Sequence, residues 1–355
     1  VVRASSNFDT HGFTIHPMFM LRPPHRKVLP CYVPYRCLLP AGLANILVTG
    51  LGVSAHRDVM PVIRMQPDIQ NQGYAVGVAA AMAVSSQVNL RDIDVRTLQQ
   101  HLVDKGNLPP DVLTHEDSFP LSLRAVKVAA STVTSDFDGL EILFAEQEQA
   151  LPLLRQAYLD ATSEKDRLTY AHILGIMGDS AGVDALAYAV QSNEWDQGWE
   201  YTGMGQYGRS ISEVDSLIIA LGRTRRSQAL EPILEKVRQL GPQHAMSHHR
   251  AVALALEALR EPAAAGPLAE LLSKPEMRGH ALTDVEAALS DIPSSGTDTS
   301  TRERSLRELI LARALYRCGD HEGLGEQILT EYSRDLRGHY ARHALAVLKE
   351  GRSDR

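Results

Sequence analysis

Ala44-Asn45-Ile46-Leu47-Val48-Thr49-Gly50 and Gly73-Tyr74-Ala75-Val76-Gly77 are the two runs on which the fold of this 355-residue chain turns. The first is a short apolar run closed by glycine, the pattern of a buried strand with a tight exit. The second opens a stretch to Ser86 made mostly of Ala, Gly and Val, which predicts a helix over Gly73–Ser86. Side chains this small let a helix backbone come close to a sheet or a ligand. Strand, loop and small-residue helix together predict an α/β unit. Upstream, Pro17, Pro23, Pro24, Pro30, Pro34 and Pro40 limit regular structure and leave Phe13–His16 and Val28–Val33 as the β-capable pieces. Downstream, Val95, Leu98, Leu102 and Val103 predict a second helix over Val95–Lys105. Gly106 to Leu140 is expected to be a connector with a strand-like piece at Ala125–Ala130.

From Glu141 onward the pattern is helical and repeats. Leu168–Val190, Ser216–Val237, Ala251–Leu272 and Leu309–Tyr332 each show an apolar helix, a polar turn and a second apolar helix. The turns are placed at Gly178-Asp179, Gly222, Arg260 and Gly319-Asp320, and the loop Pro293–Glu303 lengthens the last interval. A recurrence of roughly 40 residues with this shape is that of HEAT-like repeats, which bury their faces by stacking on neighbours. The alternative is a non-repetitive helical bundle. The expected domains are thus residues 1–140 and residues 141–355. Trp195–Tyr207 places four large aromatic residues among glycines between the first two units, as a binding loop or as a packed cover. Ser247-His248-His249-Arg250 has no further ligand at useful spacing, so no metal site is expected.

Composition narrows the function classes. Hydrophobic content of 44% and charged content of 22% suit a chain able to bury a real core. A formal charge of -7 argues against nucleic-acid binding, which calls for a basic excess or stripe. Arg223, Arg225 and Arg226 form a local run expected on a solvated helix-turn surface. No apolar stretch reaches the roughly 18 residues of a membrane span. Cys31, Cys37 and Cys318 make neither a disulfide framework nor a four-ligand zinc site.

Val33-Pro34-Tyr35-Arg36-Cys37-Leu38-Leu39-Pro40, the run to Gly50, and then Ser54, Arg64, Pro67, Gly73, Ala75 and Gly77 resemble the C-terminal block of a family of FAD-dependent oxidoreductases. In that family the strand ends in glycine, a loop crosses beside the flavin, and a G-x-A-x-G helix starts under the isoalloxazine. The resemblance implies an α/β flavin-domain fragment, the C-terminal part of an FAD-binding fold, followed here by an all-α HEAT-like solenoid. It implies FAD as cofactor, contacted by Thr49, Gly50, Leu51, Ser54, Gln72, Gly73 and Tyr74. If the helix begins near Gly73, its unpaired amides at Gln72, Gly73 and Tyr74 would face the flavin edge that turns negative on reduction. His56, Arg57 and Arg64, on the connecting loop, are the candidate catalytic residues: His56 as acid or base, the arginines orienting a small-molecule substrate. The chain departs from the family pattern at Leu51, where Gly-Arg is usual, at Arg57, where the family has His, and at Tyr74, where it has Gln. Phe13-Thr14-Ile15-His16 resembles a family segment ending in Asp-x-His, with Thr14 in place of the Asp; His11 or His16 either faces substrate or is a satisfied structural histidine.

A flavoprotein of this kind needs a strand, a G-x-G-x-x-G turn and a helix to hold the pyrophosphate. No such unit occurs between Val1 and Arg355, and Gly203-x-Gly205 does not follow a strand. The ADP half of the site is therefore expected from an N-terminal FAD-binding segment or partner chain. The rival expectation is a non-catalytic interaction scaffold built on the helical repeats.

Overall fold

The computed structural model describes residues 1–8, 14–23, 28–199, 211–292 and 299–353. The chain divides into two compact units. One holds Val1–His16 and Pro24–Pro120; the other holds Pro17–Pro23 and Leu121–Arg355. The sequence placed the division at residue 140.

In the first unit, β1 (Val2–Ser6) pairs antiparallel with β2 (Leu29–Val33), Val2 opposite Val33 and Ser6 opposite Leu29. Val2 and Ala4 face inward while Arg3 and Ser5 face outward, the two-residue alternation of a half-buried strand. The short helix α1 (Met18–Leu21) belongs to the other unit. Then come α2 (Met60–Ile63), α3 (Gln66–Ser86) and α4 (Val95–Asp104), with α2 and α3 packed on β1. Asp68, Gln72, Ala75, Ala79 and Ala83 recur at helical spacing and form the buried face of α3.

Two expectations fail here. Ala44–Gly50 is not a strand: its residues carry no strand pairing, and Ile46 is exposed. Val48 N–H donates to the Leu38 carbonyl at 2.8 Å. A strand is a paired object, and an isolated bond to Leu38 does not make a ladder. Among the described residues, the α/β expectation thus reduces to a helical unit with one two-stranded antiparallel sheet. The small-residue helix also begins earlier than expected, at Gln66, with Pro67 in its first turn and Asp68 at its third position. Proline loses nothing there, because the amide it lacks has no intrahelical partner anyway. The predicted strand at Leu29–Val33 and the helix Val95–Asp104 agree with the sequence. Thr14–His16 forms no strand, and Phe13 and His11 lie outside the described residues.

Every regular element described in the second unit is a helix. The unit contains α1, α5 (Leu123–Thr132), α6 (Leu140–Ala145), α7 (Gln147–Asp160), α8 (Glu164–Ile176), α9 (Val183–Ser192), α10 (Glu213–Arg223) and α11 (Leu230–Gln239). There follow α12 (Met246–Leu259), α13 (Ala265–Ser273), α14 (Val285–Ser290), α15 (Ser300–Arg317), α16 (Leu324–Tyr332) and α17 (Gly338–Ser353). Ala125–Ala130, expected as strand-like, lies inside α5. Ser122 caps that helix by accepting the Ala125 amide, and Val126, Ala129, Ala130 and Val133 bury one helical face. Helices α8, α10, α12 and α15 each pack on the next, and each also packs on a sequence neighbour: α9, α9 again, α11 and α16. Gly178, Arg260, Gly319 and Asp320 take positive φ at the turns. Gly222 does not mark a turn. It lies buried in α10 against Ala255 of α12, and the chain turns after Arg223. Most of the loop from Pro293 lies outside the described residues. Among the described residues, no helix is long and apolar enough to cross a membrane.

Candidate functional site

Gln72 ties the two runs together. Its side chain is wholly buried, accepts the Gly50 amide at 2.9 Å and donates to the Ile63 carbonyl at 3.0 Å. A single side chain thus joins the Gly50–Gly52 turn, the end of α2 and the flank of α3. Gly50 has a φ of +66°, a conformation glycine adopts at no steric cost, and it abuts Ile69. Ile69, Gly73 and Gly77 stand four residues apart, so they share one flank of α3 running away from that turn. A Cβ added at Gly73 or Gly77 would meet nothing within 4 Å. This open glycine flank is what a flat ring needs for close approach.

The expected amide donors are not there. Gln72, Gly73 and Tyr74 lie a full turn or more inside α3, where their N–H groups are used by carbonyls one turn back. The free end of the helix dipole is at Gln66, and Asp68 already occupies it. Burial raises the Asp68 pKa, opposed by the backbone amides of Ser5 and Met65. A carboxylate at that position complements the helix N-terminus from within the chain. Tyr74 turns to the neighbouring helix: its hydroxyl lies 3.1 Å from His101 Nε2 and the rings stack. Leu51 is 73% exposed, Ser54 is exposed and donates its amide to the Cys37 carbonyl, and Thr49 is half-buried.

The loop between the turn and α3 gathers a polar cluster organised by Asp58. Asp58 is buried, and one of its carboxylate oxygens accepts the amides of Ile15 and His16 at 2.8 and 2.7 Å. The guanidinium of Arg57 reaches its other oxygen at 3.7 Å. His56 Nδ1 accepts the Asp58 amide at 3.2 Å, so a neutral His56 ring carries its proton on Nε2. His16 meets His56 edge to face with ring centroids 5.3 Å apart. Burial, then the neighbouring His56, lower the His16 pKa against the opposing charge of Asp58. The cluster therefore joins His16, His56, Arg57 and Asp58. Arg64 stands half-buried at the end of α2, one residue before the Met65 cap of α3. Two amides converging on one oxygen cannot be foreseen from spacing, because Asp58 and His16 are 42 residues apart.

Residues 1–102 match the FAD dependent oxidoreductase family. The FAD-oxidoreductase region thus covers both runs and the cluster between them. It implies FAD as cofactor and suggests an oxidoreductase. Nothing among curated proteins or solved structures matches the chain. The open flank at Gly73 and Gly77 suits a flavin ring, while the amides of residues 72–74 do not serve its reducible edge in the way expected.

In the helical unit, the two histidines in the first turn of α12 have structural partners. His248 Nδ1 lies 2.6 Å from Asp215, and His249 Nδ1 lies 3.1 Å from the Ala245 carbonyl. Trp195 lies over His248 with centroids 4.3 Å apart, and Trp199 exchanges two hydrogen bonds with Ser247. The described part of the aromatic loop therefore packs on α12; Tyr201, Gly203, Gly205 and Tyr207 lie outside the described residues. Arg223 donates to the Ile176 carbonyl and Arg226 to Ser180, so these two residues of the arginine run tie the end of α10 to the end of α8 and the turn after it.

Proposed function

We propose that this chain supplies the ring side of an FAD-dependent oxidoreductase, with residues 141–355 as a HEAT-like repeat tail. The open Gly73–Gly77 flank, inside the family-matched region and beside the Gly50 turn, is the observation that carries this reading. FAD would bring hydride acceptance. Thr49, Gly50, Leu51, Ser54, Gln72, Gly73 and Tyr74 would border it, Gln72 and Tyr74 through the packing that holds the flank open. Gln72 holds the turn against α3 and keeps the flank rigid. His56, with its ring proton fixed on Nε2, is the residue to move a proton at substrate; Arg57 and Arg64 supply positive charge to orient it. The pyrophosphate of FAD needs a Gly-rich turn and a helix N-terminus. The reading assigns that part to an N-terminal FAD-binding segment or chain outside these 355 residues. The run Ala44–Val48, exposed as far as Ile46 and outside any sheet, would then find its strand partner there.

Replacing Gly73 by Val tests the ring assignment. The added Cβ meets nothing within 4 Å, and valine is no worse than glycine in a helix, so far-UV circular dichroism should be unchanged. Flavin bound to the native assembly, read from its visible absorbance, should fall by about tenfold, the effect of one overlapping group in a close contact. Full flavin occupancy in this variant would refute the reading. His56→Ala should leave flavin occupancy intact and slow reduction by substrate by about a hundredfold, the lower range for loss of a general acid or base. Equal loss of flavin and rate would make His56 structural.

One observation favours the rival scaffold reading. Asp68 fills the N-terminus of α3, which would leave a reduced flavin without the helix dipole. A native assembly that is colourless and devoid of flavin would support that reading instead.

A further inference from the structure

The first unit holds a cavity of about 970 Å³ that none of the candidate flavin or catalytic residues lines. It lies between the end of β2, the Pro34–Arg36 turn, the first turns of α4 and the segment 112–119. Its size is at the upper end of ordinary small-molecule sites, roughly 300–1,000 Å³. Tyr32, Val33, Leu39, Val112 and Phe119 give it an apolar and aromatic wall, and Tyr32 is held edge-on by His115 with centroids 5.1 Å apart. Arg36, Arg91 and Arg96 line the same space.

These three guanidiniums are positioned differently. Arg96 donates to the carbonyls of Val112, Leu113 and His115 at 3.1, 3.0 and 2.6 Å, which fixes the 112–115 wall to α4. Arg91 donates through Nη2 to the carbonyls of Pro40 and Leu43. Neutral groups, the carbonyls and for Arg96 also Gln99, orient both guanidiniums; neither makes an ion pair among the described residues, and the Asp94 carboxylate offsets only part of the charge of Arg96. Arg36 alone meets a carboxylate: its Nη1 bonds both oxygens of Asp117 at 2.9 and 3.1 Å. Both side chains are mostly exposed, 60% and 67%, so this is a weak and exchangeable pair. Nε and Nη2 of Arg36 and Nε and Nη1 of Arg91 have no partner among the described residues. Glu116 is the other acid in the wall.

We propose that this cavity binds a flat aromatic carboxylate. Its ring lies along Tyr32 and Phe119, and its carboxylate takes the place of Asp117 on Arg36, within the field of Arg91 and Arg96. A planar guanidinium with open donors matches a carboxylate in two parallel hydrogen bonds, a geometry an uncharged amide cannot reproduce. Asp117 is then an internal competitor for the ligand's own anchor.

Titration calorimetry on the full chain with 2-naphthoate, and with uncharged 2-naphthamide as comparison, tests this. The expected result is one saturable site for naphthoate, with the amide weaker by at least about tenfold, the worth of a charge-assisted hydrogen bond. Asp117→Asn should tighten naphthoate about threefold or more by removing the competitor, and Arg36→Gln should weaken it at least about tenfold. Arg91→Gln should weaken it also. Because Arg36 and Asp117 are exposed, both variants should melt like the wild type. Neither residue borders the Gly73 flank, so naphthoate bound at the flavin face would be indifferent to them. Absence of saturable binding, equal affinity for the amide, or a dissociation constant unchanged in both the Arg36 and Asp117 variants overturns the proposal.

Discussion

Asp215→Ala is expected to destabilise the helical unit by about 3–5 kcal/mol, the cost of stripping one partner from a buried ion pair. Asp215 is fully buried and does two jobs. It closes the capping box at the start of α10 with Ser212, and it holds His248 of α12 at 2.6 Å. The other ring nitrogen of His248 lies 3.2 Å from the Asp196 carbonyl, so both nitrogens donate only when the ring is protonated. Burial works against the charged ring, but the hydrogen bond and charge of Asp215, with Asp196, outweigh it and raise the His248 pKa above 6.5. Burial likewise opposes the Asp215 carboxylate, and His248, Ser212 and Ser247 outweigh it and hold its pKa below 3.8. A raised histidine pKa stabilises fully below the unfolded value and is lost as pH rises through the folded one. A lowered aspartate pKa stabilises above the unfolded value and is lost as pH falls through the folded one. The pair therefore contributes most between about pH 4 and about pH 6.5, the two unfolded values. Urea unfolding of wild type and variant should show the widest gap near pH 5–6 and a narrower one at alkaline pH, once His248 has lost its proton. A gap that is constant with pH would mean that the cap alone accounts for the loss.

Gly222→Ala should cost about 2–3 kcal/mol although alanine is the better helix former. A Cβ at residue 222 would fall 2.4 Å from Ala255 Cα and 2.5 Å from Ala255 O, so it meets the backbone of α12, which cannot step aside as a side chain can. Either the two helices move apart along their contact or the chain holds the overlap as strain. Gly266→Ala supplies the comparison: its added methyl meets nothing within 4 Å, and it should stabilise α13 by about 1 kcal/mol from helix propensity. Thermal unfolding of the two variants should therefore move in opposite directions. If both rise, α10 and α12 do not pack through Gly222.

Much of the helical unit was legible from local chemistry. The glycines at residues 178 and 319 act within a few residues of themselves, by allowing a positive φ at a turn; the caps Ser163 with Asp166 and Ser212 with Asp215 are just as local, although the structure was needed to point them out. The family resemblance was legible for the same reason, since it rests on small residues at short spacing. The strand-like run Ala125–Ala130 misled because a short apolar stretch fits either period, and only the cap at Ser122 and the burial of Val126, Ala129, Ala130 and Val133 make it a helix.

By itself, then, the amino-acid order determined that the chain is helical from Glu141 onward, where most of those helices turn, that Val95–Asp104 is a helix, and that residues 33–77 carry the flavin-family pattern. Only the tertiary structure decided that Ala44–Gly50 is not a strand, that α3 begins at Gln66 with Asp68 in its free end, and that Gly222 is a packing contact. It also decided that Asp58 gathers His16 and His56, and that Asp215 meets His248. The reason is physical: caps and turns are satisfied by groups a few residues away, whereas strand pairing, helix-on-helix contact and buried charge pairs depend on partners more than 20 residues distant, whose approach no local pattern records.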